Sequence, residues 1–148
     1  MTRYAFTGPS GLTEQQMLYA QEVVRRCKDA SEWTTGAANG LDTLAHLAGW
    51  RVAPIALHRV VIPAAPHNFE ILKLAKADEV IRMPRLASGD DERKTRSAAY
   101  RARNNRMLDF ADVLMAFVRW SEFYRSGEWM TINIANKRGI DVQKFVLP

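Results

Sequence analysis

The run Val113-Leu-Met-Ala-Phe-Val118 carries no polar side chain. A strand with one wet face alternates apolar and polar residues, so an unbroken apolar strand must be covered on both faces. That condition is met inside a mainly parallel sheet with helices on either side. The rest of the chain supplies partners for such a strand. Arg3 to Thr7, Glu32 to Thr35, Arg59 to Ile62, Glu79 to Arg82 and Asp141 to Leu147 read as strands, and the stretches between them carry apolar residues at helical spacing. Alternating strands and helices imply right-handed crossovers and an α/β fold.

The helices announce their starts. Thr13 and Gln16 have capping-box spacing, and the first helix is expected to run to about Ala30, with Met17, Ala20, Val24 and Cys27 on its inner stripe. Leu41, Leu44, Ala45 and Ala48 mark a second helix, with Gly49 as a stop or kink. Trp50 to His58 fits either a helix broken by Pro54 or an irregular connection. A helix is expected from about Phe69 to Ala77, a mobile polar loop from Leu86 to Arg96, and a helix from Ser97 to Phe110. Helical residues Trp120 to Tyr124 follow, and Arg125-Ser126-Gly127-Glu128 opens a last helix that stops near Gly139.

Two of the strand-to-helix joints are rich in small residues. Thr7-Gly8-Pro9-Ser10-Gly11 follows the first strand, and Thr35-Gly36-Ala37-Ala38-Asn39-Gly40-Leu41-Asp42 follows the second. Small residues let a backbone approach a ligand closely, and the unpaired N–H groups at a helix start favour an anion. The same glycines also serve tight turns that hold no ligand. In a parallel sheet these loops, with those at Pro63 and Gly127, gather at the carboxyl ends of the strands, where open α/β sheets bind their ligands.

With 148 residues, 47% of them hydrophobic, the chain can form one domain over 1–148 with a substantial core. Lys and Arg number 21 against 16 for Asp and Glu, a net charge of +5 that suits an anionic ligand. The excess is local. Arg82, Arg85, Arg93, Lys94, Arg96, Arg101, Arg103 and Arg106 fall in one window. The single cysteine, Cys27, forms no internal disulfide and reads as a packed thiol in a reducing compartment. No signal peptide and no apolar run of membrane length are visible, so the reading is a cytoplasmic protein without a membrane partner. His46, His58 and His67 lack metal-ligand spacing, and neither a metal nor a cofactor is expected. The absence of a Gly-x-x-x-x-Gly-Lys-Ser/Thr loop excludes a P-loop hydrolase, and Asp90-Asp91-Glu92 reads as solvated loop.

The two small-residue loops resemble the SLOG superfamily. The second continues into Leu41-Asp42-Thr43-Leu44-Ala45, and Arg103-Asn104-Asn105-Arg106-Met107 precedes Ala111-Asp112-Val113-Leu114-Met115-Ala116-Phe117. The resemblance covers nearly the whole chain and is strongest to the small YspA-type branch. Lonely guy phosphoribohydrolases and DNA-processing proteins are related groups. It implies a Rossmann-like, mainly parallel sheet with helices on both faces, holding a nucleotide or nucleotide-derived molecule over the strand ends. In that picture Thr7, Gly8, Ser10 and Gly11 line one side of the ligand. Gly36, Asn39, Gly40 and Asp42 line a second, and Ser126, Gly127 and Glu128 a third. Arg103 matches the family's motif arginine, with Asn104 beside it.

Physical chemistry supports Arg103 beside the analogy, because a guanidinium offers fixed, permanently charged donors suited to phosphate or carboxylate. A solvated helix face is the alternative for this residue. Asn104 suits a base or ribose, or a backbone bridge, and Met107 reads as core. The sequence also departs from the phosphoribohydrolase pattern Gly-Gly-x-Gly-Thr-x-x-Glu. Here Glu128 stands at the threonine position and Thr131 at that of the glutamate. A hydroxyl cannot replace a carboxylate as acid or base near neutral pH.

Three functions compete. The leading one is binding of a small nucleotide derivative by a sensor, sequestering or accessory module. The second is hydrolysis of an N-glycosidic or phosphoribosyl bond, with Glu128 and Arg103 as candidate catalytic groups. The third is single-stranded DNA binding through the basic window, with Tyr100 and Trp120 as stacking groups. Nucleic acid ranks behind the small molecule because the net charge is modest. The base, the number of phosphates and homo-oligomerisation stay open.

Overall fold

Ala5 and Phe6 are neighbours in the first strand, both fully buried, yet they belong to different cores. Phe6 packs in a cluster with Trp33, Met115 and Phe117, whereas Ala5 joins Leu114, Ala116 and Val118. Successive side chains of a strand point to opposite faces, so burial of both requires cover on both sides. The computed structural model describes residues 1–64, 76–85, 92–119 and 127–148.

Six strands form the sheet: β1 (Thr2–Thr7), β2 (Ala30–Gly36), β3 (Leu57–Ile62), β4 (Glu79–Arg82), β5 (Val113–Val118) and β6 (Asp141–Val146). They run parallel in the order β4-β3-β2-β1-β5-β6. Helices α1 (Glu14–Val24) and α2 (Leu41–Val52) cover the face of Phe6. Helices α3 (Glu92–Leu108) and α4 (Gly127–Arg138) cover the face of Ala5. The chain steps outward from β1 through β4 and then returns to the other side of β1 with β5. The carboxyl ends of β1 and β5 therefore flank the topological switch point, where doubly wound sheets open a crevice.

The amino half of the sheet is crossed by a ladder of opposite charges. Arg3 bonds Asp112 at 2.9 Å and lies 3.8 Å from Glu32. Glu32 is 2.8 Å from Arg59, which is 2.9 Å from Glu79. Arg59 is only 5% exposed, donates to Thr34 Oγ1 at 3.2 Å, and lies 3.7 Å from the centre of the Phe110 ring. On the other face, Trp50 stacks on His58 at 4.0 Å, and the Trp33 indole donates to the Ala45 carbonyl at 3.0 Å. Gly49 sits under this group because a Cβ there would come within 2.7 Å of Trp33 Nε1.

Several sequence-based boundaries move. Helix α1 ends at Val24, well short of Ala30, and Cys27 lies in the following turn, buried as expected. Burial pushes its thiol up to about 12, so it stays protonated and inert near neutral pH. Met17 is 40% exposed and lies off the inner stripe. Gly49 does not stop α2, which continues to Val52, because the close packing it permits against Trp33 outweighs its low helix propensity. Residues 92–96, expected in a loop, begin α3, whose inner residues Ala99 and Arg103 are buried. Lys76 and Ala77 lie outside any helix, and the rest of the expected helix from Phe69 falls outside the described residues. Most of the Leu86 to Arg96 loop and the helical segment Trp120 to Tyr124 also fall outside them.

Candidate nucleotide site at the carboxyl edge

The loops after β1 and β2 are docked on each other. The Leu41 N–H donates to the Pro9 carbonyl at 3.1 Å, and Gly40 adopts φ +76° against the same loop. A Cβ at Gly40 would lie 2.5 Å from Pro9 O, so glycine is required by both conformation and contact. At Gly8 a side chain would run into the side chain of Leu41. The close approach that Gly8 permits is therefore to Leu41, which is fully buried. Thr13 caps α1 as its spacing implies: its hydroxyl accepts the Gln16 N–H at 3.1 Å while Gln16 Oε1 accepts the Thr13 N–H at 3.0 Å. Ser10 and Gly11 are exposed, and the Gly11 carbonyl accepts from Arg119 Nη2 at 2.8 Å.

Gly36 ends β2 beneath two charged groups. A Cβ on it would meet the Arg103 guanidinium and would lie 2.6 Å from Asp42 Oδ2. Arg103 comes from α3 and Asp42 from α2, helices on opposite faces of the sheet, and they are only 8% and 7% exposed. Asp42 Oδ2 also accepts the Ala38 N–H at 3.2 Å. Burial raises the Asp42 carboxyl to about 6, against the opposing pull of Arg103. Burial likewise lowers the Arg103 pKa, and Asp42 counteracts it. The guanidinium Nε donates to Asn104 Oδ1 at 2.8 Å, and its carbon is 5.7 Å from the centre of the Tyr100 ring.

Asn104 carries the site toward α4. Its Nδ2 lies 3.7 Å from Met130 Sδ, which places the first turn of α4 beside the Arg103 segment. Glu128 is half-buried in that turn, and Thr131 is 1% exposed. Gly127 opens the helix, whereas Ser126 lies outside the described residues, as does Trp120. Thr7 closes β1, Asp42 and Arg103 meet over Gly36 at the end of β2, Asn104 joins them through the Arg103 Nε, and Gly40 lies against the β1 loop. Met107 is core, as expected.

Two buried oxygens at this edge, Thr35 Oγ1 and Asn39 Oδ1, have no hydrogen-bond partner among the described residues. Thr35 is fully buried. Its place in Thr34-Thr35-Gly36, at the end of a strand and the mouth of the loop, was the signal that could have singled it out. Arg119 was also missed as the link between the end of β5 and the β1 loop. It directly follows the apolar run, where a strand emerges at the carboxyl edge.

A parallel sheet with this order, its helices on both faces and its small-residue loops at one edge, is a Rossmann-like fold. The same fold is found in solved structures of DNA processing protein A. That from Helicobacter pylori, described for its single-stranded DNA binding mode, superposes with a TM-score of 0.70 at 14% identity over 97% of this chain. That from Streptococcus pneumoniae gives 0.71 at 18% identity, also over 97%. The chain spans 64% and 50% of those two proteins. No family model and no curated protein matches it in sequence.

Proposed function

We propose that this chain is a nucleotide-binding module that holds a phosphate-bearing nucleotide unit at the carboxyl edge, between the β1 loop, the β2 loop and the start of α4. The observation that carries this reading is the buried Arg103 brought over Gly36 at the end of β2, on an edge that also holds the unpartnered Thr35 Oγ1 and Asn39 Oδ1. A guanidinium suits a phosphate, and buried polar oxygens without partners are uncommon. A phosphate on Arg103 with a ribose hydroxyl on the oxygens would use these groups. Titration calorimetry with adenosine monophosphate, with and without Arg103→Ala, tests it: binding by the parent chain that weakens in the variant supports the reading.

Single-stranded DNA as the source of that nucleotide unit is favoured by a separate observation. Lys94, Arg96 and Arg101 are exposed along α3, and Lys94, Ser97, Arg101 and Asn105 line an open groove of about 420 Å³. Phosphate contacts by such residues make affinity fall steeply with salt. A short oligothymidylate should then bind more tightly than the mononucleotide and lose that advantage as salt rises. The hydrolase reading is the weakest, because buried Thr131 offers no carboxylate. Free base released from nucleoside monophosphates and abolished by Glu128→Gln would restore it.

A further inference from the structure

The Asp42 carboxylate and the Arg103 guanidinium approach each other over the Cα of Gly36, from helices on opposite faces of the sheet. An anion that used Arg103 would meet Asp42 in the same place. We propose that Asp42 is the resident counter-ion of Arg103 and that a phosphodiester displaces it, so that binding one phosphate is coupled to the uptake of one proton. This rests on the nucleotide reading and adds its regulation by pH.

Charge balance couples the proton to the phosphate. A single guanidinium neutralises one negative charge, and a second carboxylate left ionised in the same buried space is strongly unfavourable. Protonation removes that charge and turns the carboxyl into a donor for a phosphate oxygen. Among the described residues, Arg103 is the charged group that acts on the Asp42 carboxyl. Its own loop supplies the Ala38 N–H, and β2 presents the uncharged Thr35 and Gly36. The β1 loop from Gly8 to Gly11 has no titratable side chain, and Arg119 is engaged with the Gly11 carbonyl. α3 contributes Arg103 and Tyr100, and the first turn of α4 adds only Glu128, another negative charge. His46, one turn further along α2, faces the Lys76 carbonyl instead. Burial has already brought the Asp42 carboxyl to about 6, so the proton is accessible close to neutrality.

Calorimetry with a short oligothymidylate at fixed ionic strength, from about pH 5.5 to about pH 8, provides the test, because phosphodiesters do not titrate there. Affinity should fall roughly tenfold per pH unit above about pH 6.5, the limit for one coupled proton. Asp42→Asn, which keeps an acceptor for the Ala38 N–H, should flatten that dependence. Binding that is independent of pH in the parent chain overturns the proposal and leaves the nucleotide reading intact. A slope that persists in Asp42→Asn overturns it as well, by placing the proton elsewhere. No binding at any pH overturns both. Carbon NMR of the Asp42 carboxyl in the parent chain gives the answer without a variant: ionised when free and protonated in the complex at about pH 7 supports the coupling, and no change refutes it.

Discussion

The two ends of the sheet treat polar groups in opposite ways. At the amino half, Asp112, Arg3, Glu32, Arg59 and Glu79 pass charge from strand to strand, each cation between carboxylates. At the carboxyl edge, one guanidinium and one carboxylate meet over Gly36, and two buried oxygens of the same edge, a hydroxyl and an amide, have no bond from any of the described residues. The first arrangement is closed within the chain and contributes to stability. The second leaves bonding capacity unused, which on the proposed reading the nucleotide takes up. The difference lies in which side chains stand at either end of the strands.

Removing the ladder's buried cation should give the largest effect. Arg59→Met breaks contacts to Glu32, Glu79 and Thr34 at once and should lower stability by about 3 kcal/mol in urea unfolding, the low end for one partner of a buried pair because both carboxylates keep some solvent. Nucleotide affinity should not change. Arg103→Ala should do the reverse at the other end, weakening ligand binding by roughly 1.5–3 kcal/mol, with only partial recovery in Arg103→Lys because an ammonium lacks the planar fork. Complete recovery by lysine would reduce the contact to simple charge.

Glycines at the carboxyl edge divide along the same line. Gly8→Ala should lose about 1–3 kcal/mol of stability through its collision with Leu41. Gly11→Ala, whose Cβ would meet only Arg119 Nη2 at 3.7 Å, should stay within about 0.5 kcal/mol. Equal thermal shifts in the two variants would contradict the packing assigned to Gly8.

The smallest effect concerns acid. Burial lowers the pKa of both His46 and His58, so the unfolded chain takes up protons first, and their contribution to stability, full above about pH 6.5, falls away below it. Asp42 has the opposite sign. Its folded carboxyl is raised to about 6 from 3.8, so lowering the pH through that window favours the folded state. Asp42→Asn should therefore make the loss of stability between about pH 6 and about pH 4 steeper. A shallower loss in the variant would show that Asp42 is not the group opposing the histidines.

Much of the fold was legible because it rests on local pattern. The apolar run of β5, the alternation of strands and helices, and the Thr13 cap each follow from nearby residues. The resemblance also pointed to Arg103 and to the two small-residue loops. What could not be read depends on distant partners. Gly8 looks like room for a ligand until Leu41 is seen against it, and Gly49 looks like a helix stop until Trp33 explains it. The charge ladder was invisible for the same reason, since its five members come from five separated segments.

That separation has a consequence for how the chain finds its fold. A parallel sheet is assembled from segments that share no hairpin to fix their alignment, and a slip of one residue turns every side chain to the opposite face. Such a slip at β3 would carry Arg59 away from Glu32 and Glu79 and into the apolar layer beneath α1 and α2. The ladder thus works as a combination lock: it closes only when all its segments are in step, and it penalises near misses that hydrophobic burial alone would tolerate.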